Sequence, residues 1–175
     1  DLRISVVCAG IGTAGKLLGH TARSNPLWQT SPDSEVLLIF NGPSAYISPN
    51  WYESKNAVPT WNFAVVHATG KPKRIEDDAA FAQSLQRLVA RNEGAYGGGS
   101  NWSYSAIPDA QLKSMRQGIL AYEMTIDRVE AKFKLGQERS AADRAGVVKG
   151  LKSGRKERNL TELTEAYYGR TRPPA

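Results

Sequence analysis

One segment in the second half of the chain constrains the fold more than any other. Its apolar residues first occupy even-numbered positions and then odd-numbered ones. The two sets are Leu120, Tyr122, Met124, Ile126 and Val129, Ala131, Phe133, Leu135. Such alternation is typical of a β-strand, and the change of phase requires one extra residue near Asp127–Arg128, as in a β-bulge. A long strand that bends at a bulge favours a small barrel over a flat sheet.

Apolar runs, turn residues and capping residues predict the other elements. Strands are predicted at residues 3–8, 35–41, 45–48 and 60–70, with a turn at Asn41-Gly42-Pro43. Helices are predicted over 77–93, 108–118, 140–151 and 159–168, the first ended by Gly94 and the last by Gly169. Because strands and helices do not alternate regularly, the prediction is an α+β fold dominated by β-strands, with peripheral and C-terminal helices.

A glycine-rich stretch follows the first predicted strand. Gly10, Gly12 and Gly15 match the G-x-G-x-x-G pattern, which marks a dinucleotide site only where a helix follows and an acidic residue ends the next strand. Pro26 interrupts the candidate helix and Asn41 stands where the acid belongs. The stretch therefore favours a glycine-rich turn that joins two paired strands.

Positive charge is concentrated at the C-terminal end. Residues 149–175 contain seven basic and three acidic residues, whereas the first 148 contain sixteen and fourteen. We therefore predict one domain over 1–153 and a basic tail with a short helix over 154–175, and the tail is the candidate contact for DNA. No apolar run reaches the ~18 residues of a membrane span. Cys8 is the single cysteine, which excludes an internal disulfide and is typical of a reducing compartment such as the cytoplasm.

Five groups of residues occur together in the order found in one protein family. They are Gly19–Trp28, Phe40–Pro49, Trp51–Tyr52, Val58–Phe63 and Lys132–Gln137. In these motifs the chain resembles the PaiB-like FMN-binding negative transcriptional regulators, relatives of the pyridoxamine-phosphate-oxidase-like split β-barrels. The resemblance implies a split β-barrel, an FMN cofactor and a homodimer that holds the flavin between its subunits.

The first motif brings four hydrogen-bond donors together around a turn, namely His20, Arg23, Ser24 and Asn25. A flavin phosphate requires cationic and neutral donors of this kind, and the resemblance places the cluster near that phosphate. The alternative from the residues themselves is that Ser24-Asn25-Pro26 only forms a turn and that Arg23 is solvated.

Two further segments are candidates for the flavin ring and its chain. Thr60 and Asn62 should lie on one face of a strand and Trp61 on the other, and the resemblance places the ring near this strand. The alternative is that Trp61 packs in the core and that Asn62 caps the end of the strand. Ser48, at the start of the segment that ends at Tyr52, either lines the same pocket or belongs to a packed loop without a ligand.

The last motif adds a second candidate edge for anion binding. Lys132 and Lys134 share one face of the long strand, where the alternative is that both are solvated, and Gln137 and Arg139 follow. The resemblance implies that these last two complete the site of the partner subunit. Family members carry serine and asparagine where this chain has Gly136 and Glu138, and a carboxylate in place of neutral donors weakens phosphate contact if this loop touches it.

The leading hypothesis is an FMN-binding protein of the PaiB-like regulator type. Two alternatives stay open, a flavin- or haem-dependent oxidoreductase on the same fold and a cofactor-free interaction module. No catalytic residue is assigned, because His67 lies within an apolar strand and no Ser–His–acid set can be assembled. Two histidines and one cysteine do not provide the usual zinc ligand spacing.

Overall fold

The computed structural model describes residues 8–11, 15–29, 33–99, 102–153 and 158–170. Its strands are β1 (Cys8–Ile11), β2 (Lys16–Ala22), β3 (Val36–Ile47), β4 (Thr60–Arg74) and β5 (Ile119–Lys134). Its helices are α1 (Asp78–Tyr96), α2 (Asp109–Gly118), α3 (Ala141–Ser153) and α4 (Arg158–Arg170). Short 3-10 turns lie at Pro26–Gln29, Pro49–Trp51 and Tyr104–Ala106. The predicted α+β class is confirmed.

The strands form one sheet in the order β1-β2-β5-β4-β3. The glycine-rich stretch joins β1 to β2, which pair antiparallel from Cys8 opposite His20 to Ile11 opposite Leu17. A strand, not a helix, therefore follows the G-x-G-x-x-G pattern, and the predicted pairing of the two flanking strands is confirmed. Residues 3–7 of the first predicted strand and residues 12–14 lie outside the described residues.

The turn predicted at Asn41-Gly42-Pro43 is wrong, because β3 continues through all three residues. β3 is at the edge of the sheet, where a proline, which lacks the backbone N–H, is tolerated. A Cβ on Gly42 would lie 3.1 Å from both the Cβ and the carbonyl oxygen of Ala64. Glycine is needed here for a close approach to β4 and not for a change of chain direction.

Two glycines predicted to end helices lie inside them. α1 passes Gly94 and ends with Gly97 as its C-cap, and α4 passes Gly169. A glycine inside a helix costs only about 1 kcal/mol, which the rest of each helix offsets. The starts agree better with prediction, since Asp77 caps α1 through the N–H of Ala80 and Ser140 accepts from the N–H of Asp143 at the start of α3.

The chain divides into two units, which are described separately. Unit 1 comprises Asp1–Leu38 with Ala68–Val129, and unit 2 comprises Ile39–His67 with Glu130–Ala175. In unit 1, α1 packs on β2, and Phe81, Leu85 and Ala121 form a buried cluster. In unit 2 the buried cluster is Ala45, Ile47, Leu135, Val147, Leu151 and Leu160.

The helix predicted near the C-terminus forms and contributes Leu160 to the core of unit 2. The segment beyond residue 153 is therefore packed at least through this helix. The predicted boundary between 153 and 154 stays a prediction, and residues 154–157 lie outside the described part of the chain.

β5 confirms the long strand and shows that its two apolar phases differ in burial. Leu120, Tyr122 and Met124 are buried, whereas Val129 and Phe133 are exposed. The bulge near Asp127–Arg128 stays a prediction.

Candidate functional site

In unit 1 the predicted donor turn is held by its own backbone and by α2. The Oδ1 of Asn25 accepts the N–H of Leu27 at 2.9 Å, which is an Asx turn. The guanidinium of Arg23 donates to the carbonyl oxygens of Gln117 at 2.8 Å and Arg116 at 3.0 Å. Arg23 therefore caps the C-terminus of α2, where a cation is favourable. Ser24 is exposed beside them.

His20 lies on β2, opposite Ala121 of β5. Its Nδ1 is buried and has no hydrogen-bond partner in the described part of the chain. Burial lowers the pKa of His20 below its ordinary value, because the charged imidazolium loses hydration. The imidazole is one wall of a cavity of about 260 Å³ that α1 and α2 also line.

In unit 2 the structure brings Thr60 and Lys134 together. The Nζ of Lys134 donates to Oγ1 of Thr60 at 2.5 Å. Asn62, two residues along β4, is only 2% exposed, whereas Trp61 is 57% exposed. The Trp61 ring meets the Tyr46 ring edge-on, with the two ring centroids 6.2 Å apart. The predicted alternation is confirmed, and the alternative that placed Trp61 in the core is wrong.

The residues after β5 form a tight turn rather than an open row of donors. Gln137 accepts the N–H of Leu135 at 2.8 Å and donates to the carbonyl of Phe133 at 2.6 Å. Gly136, where the family has serine, has φ +76°, in the left-handed region that favours glycine. The substitution therefore suits the backbone of this turn.

The two other cationic side chains predicted for this region, Arg139 and Lys132, differ in their surroundings. The guanidinium carbon of Arg139 lies 4.9 Å from the ring centroid of Tyr52, and its Nε is 3.5 Å from the Glu138 carboxylate. Lys132 is exposed, whereas Lys134 is half-buried. Arg139 is thus held by a cation–π contact with Tyr52 and lies beside the Glu138 carboxylate.

The segment from Ser48 to Tyr52 is fastened to unit 2 by contacts that sequence reasoning missed. Ser48 caps the 3-10 turn by accepting the N–H of Asn50 at 3.3 Å. The carboxylate of Asp143 accepts the backbone N–H of Glu53 at 2.8 Å and that of Ser54 at 2.9 Å. These bonds lower the pKa of Asp143, the Ser54 bond first, against the opposing effect of burial. The sequence predicts a helix start at Ser140 and Asp143, but it gives no sign of the bonds from Asp143 to the 53–54 segment.

The donor set of unit 2 fits the polar parts of FMN. A lysine and a threonine hydroxyl in contact match a phosphate, and a buried amide two residues away matches a ribityl hydroxyl or a ring-edge carbonyl. The described residues hold no cluster of three or more metal-binding side chains. None of the helices in the described part is long and apolar enough to cross a membrane.

Residues 4–128 match the family described as "Putative FMN-binding domain". The chain belongs to this family. It is 34% identical over 138 residues to the Bacillus subtilis "Protease synthase and sporulation protein PAI 2", across 78% of this chain and 65% of that protein. It is 30% identical over 174 residues to an uncharacterised Aspergillus fumigatus protein, across 79% of this chain and 67% of that one. The PaiB-like resemblance is confirmed, and the chain spans about two-thirds of the length of these relatives.

The solved structures give the fold of this FMN-binding family member. The flavocytochrome Anf3 from Azotobacter vinelandii superposes with a TM-score of 0.53 at 16% identity, over 77% of this chain and 57% of that one. The predicted split-barrel class is confirmed. FMN as the cofactor is confirmed at the level of the family, while the individual site residues stay predictions.

Proposed function

We propose that the protein binds FMN with its phosphate at Lys134 and Thr60. The observation that carries the proposal is the contact between the Lys134 ammonium and the Thr60 hydroxyl, with buried Asn62 on the same strand. Among the described residues no carboxylate pairs with Lys134, so its charge is available to an anion. Arg139, in cation–π contact with Tyr52, supplies a second cation within unit 2 for the same phosphate or for that of a partner subunit.

The proposed assembly is a homodimer with the flavin at its interface. Supporting it, the strands of unit 2 expose three aromatic side chains, Tyr46, Trp61 and Phe133. By alternation, Trp61 and Phe133 lie on the face of β4 and β5 opposite Thr60 and Lys134, so these aromatic residues support the dimer and not the position of the flavin. Exposed aromatic residues on neighbouring strands are typical of protein interfaces.

Flavin titration of paired lysine variants tests the phosphate assignment. We expect Lys134→Met to weaken FMN binding by about tenfold or more, since a charge-assisted hydrogen bond contributes about 1.5–3 kcal/mol. Lys132→Met is the matched control, because Lys132 is an exposed lysine two residues away on the same face, and it should change the affinity by less than about twofold. Equal effects of the two variants would exclude the proposed phosphate position.

Sedimentation analysis tests the dimer. Trp61→Glu places a carboxylate in the exposed aromatic face and should convert the dimer to monomer, whereas Val58→Glu, a charge on the exposed loop before β4, should not. A wild-type protein that sediments as a monomer with FMN bound contradicts the dimeric site.

The proposed role is regulation of transcription in the cytoplasm. It is supported by the resemblance to the PaiB-like regulators, of which the Bacillus subtilis relative is one, and by the basic C-terminal segment. Leu160 is buried in the core of unit 2, so deleting the segment would disrupt that core as well as any DNA contact. The test must therefore neutralise charges by substitution and leave the segment in place.

Lys149 is exposed on α3 and is the first position to neutralise. We expect Lys149→Gln to weaken binding to a 40-base-pair duplex and to reduce the slope of log affinity against log salt by about 1. Lys113→Gln, an exposed lysine of α2 in unit 1, is the control. Unchanged affinity and slope for Lys149→Gln would remove Lys149 from any DNA contact.

A further inference from the structure

A groove between α3 and α4 is lined by residues outside the proposed FMN site. Both helices belong to unit 2. Most of the lining comes from α3, and α4 adds Glu165 and Tyr168. The groove has a volume of about 700 Å³, which lies within the ~300–1,000 Å³ that is typical of pockets for small ligands.

The floor of the groove is an apolar face of α3. Ala141, Ala145 and Val148 line it, and their helical spacing places them on one face. Ala141 and Ala145 are exposed and Val148 is half-buried, so a ligand can reach all three. A rise of 1.5 Å per residue gives this floor a length of about 10 Å. An extended chain advances about 3.5 Å for every three bonds, so about eight or nine bonds of a straight alkyl chain span it.

The groove also contains an arginine that is already ordered. The guanidinium carbon of Arg144 lies 4.9 Å from the ring centroid of Tyr168, and the Tyr168 hydroxyl donates to the carbonyl oxygen of Leu135. No carboxylate among the described residues pairs with Arg144. A guanidinium donates two parallel hydrogen bonds to a carboxylate, and ordering it before binding lowers the entropic cost of the complex.

The other charges of the groove favour an anion as well. Lys149 is exposed, and no carboxylate in the described part of the chain pairs with it. Lys152 and Glu165 form an ion pair with an Nζ–Oε1 distance of 2.6 Å, so the single carboxylate of the lining is already neutralised. An apolar floor beside unpaired cations fits an alkyl chain that ends in an ionised acid group.

The small side chains of the floor distinguish a free acid from a membrane surface. Helix faces that lie in a membrane interface carry Trp, Phe or Leu side chains that insert into the lipid. Two of the three floor residues are alanines, which leave room for a chain and have nothing to insert.

We propose that this groove binds a free straight-chain carboxylic acid of about eight to ten carbons, whose carboxylate pairs with Arg144 and whose chain lies on the α3 floor. The proposal is independent of the proposed FMN site, because neither Lys134 nor Thr60 lines the groove.

Calorimetry with octanoate and 1-octanol tests the proposal on the FMN-loaded protein. We expect octanoate to bind at least about tenfold more tightly than 1-octanol, a difference of about 1.4 kcal/mol. In Arg144→Met the preference should fall below about threefold, because exposed lysines attract an anion only weakly. Arg87→Met, an exposed arginine of α1 in unit 1, is the control and should keep the wild-type preference.

Two alanine variants test the position of the chain without removing a cation. Ala145→Glu places a carboxylate on the floor and should abolish octanoate binding. Ala142→Glu, at an exposed position of α3 outside the groove, should keep it. In the wild-type protein octanoate should shift the methyl resonances of Val148 and leave those of Val36, buried in unit 1, in place.

Three results would each overturn the proposal: no octanoate binding at millimolar concentration, equal binding of 1-octanol, or a preference unchanged in Arg144→Met. Equal loss of octanoate in the two glutamate variants would overturn the chain position. Binding to phosphatidylglycerol vesicles without binding of free octanoate would assign the face to a membrane instead. Lys134→Met should keep octanoate binding even where it loses FMN, so a failure of either proposal is seen separately.

Discussion

Asp143 and Ser54 are joined by two hydrogen bonds. Oδ1 of Asp143 accepts the backbone N–H of Ser54 at 2.9 Å, and Oδ2 accepts its hydroxyl at 2.9 Å. The first turn of α3 thereby holds the loop that precedes β4, which carries Thr60 and Asn62. A helix start thus helps to order a segment next to the candidate flavin site.

Asp143→Asn should lower the midpoint temperature of unfolding at pH 7. It should also make this midpoint change less as the pH falls. The bonds from Ser54 hold the pKa of Asp143 below its ordinary value of 3.8. The stabilisation is therefore complete above about pH 4 and is lost as the pH falls through the lowered folded-state pKa. Thermal unfolding from pH 2 to 7 should show the variant and wild type converging at the acid end.

Asp127→Asn, a change at an exposed position of β5, is the control and should follow the wild-type curve. A constant gap between Asp143→Asn and wild type at every pH would show that the loss is one of packing and not of the carboxylate.

A methyl group on Gly150 should destabilise unit 2. Its Cβ would lie 2.2 Å from the indole Cδ2 of Trp51, and such overpacking costs about 1–3 kcal/mol. Gly169→Ala in α4 is the matched control, because nothing lies within 4 Å of its Cβ, and it should stabilise by up to ~1 kcal/mol. Urea unfolding measures both, and equal midpoints would show that the segment around Trp51 moves away at no cost.

These glycines show what the sequence can and cannot predict about the fold. Alternation predicted β5, because burial of one face produces a local pattern, and apolar runs, turn residues and capping residues predicted β4 and the four helices. From the sequence alone, Gly42, Gly94 and Gly169 predict turns or helix ends, because glycine permits both. Whether a glycine bends the chain or admits a neighbour depends on residues distant in sequence, such as Ala64 beside Gly42.

The sequence predicts which faces the candidate-site residues occupy but not which of these residues contact each other. Alternation placed Thr60 and Asn62 on one face and Trp61 on the other, since side-chain direction in a strand is a local property. The bond between Lys134 and Thr60 joins residues 74 positions apart and has no local signature. The turn at Asn25 was one of the two alternatives from the sequence, whereas the two backbone bonds of Gln137 could be recognised only once the conformation of its turn was known.

Tyr122→Phe should leave the free energy of unfolding unchanged or raise it at pH 7, and it should reduce the loss of stability at high pH. The Tyr122 hydroxyl is buried without a partner among the described residues, and burial raises its pKa to about 12. A raised pKa gives stability that is complete below the ordinary value of 10.0 and is lost as the pH rises toward 12. The phenylalanine variant should keep more of its stability at pH 11, measured by denaturant unfolding.

Tyr168→Phe is the contrasting variant. The Tyr168 hydroxyl donates to the carbonyl of Leu135, so its removal should cost about 1 kcal/mol at pH 7. If both variants are equally destabilised, the Tyr122 hydroxyl has a partner after all.

Arg23→Met should loosen the end of α2 without releasing FMN. Two guanidinium nitrogens of Arg23 already bind the carbonyls of Arg116 and Gln117, and losing these exposed bonds should cost about 1 kcal/mol. Hydrogen exchange should therefore accelerate in the last turn of α2, while FMN affinity changes by less than about twofold. Arg87→Met, an exposed arginine of α1, should alter neither quantity. A large loss of FMN affinity with α2 exchange unchanged would instead assign Arg23 to the flavin phosphate, as the family resemblance implies.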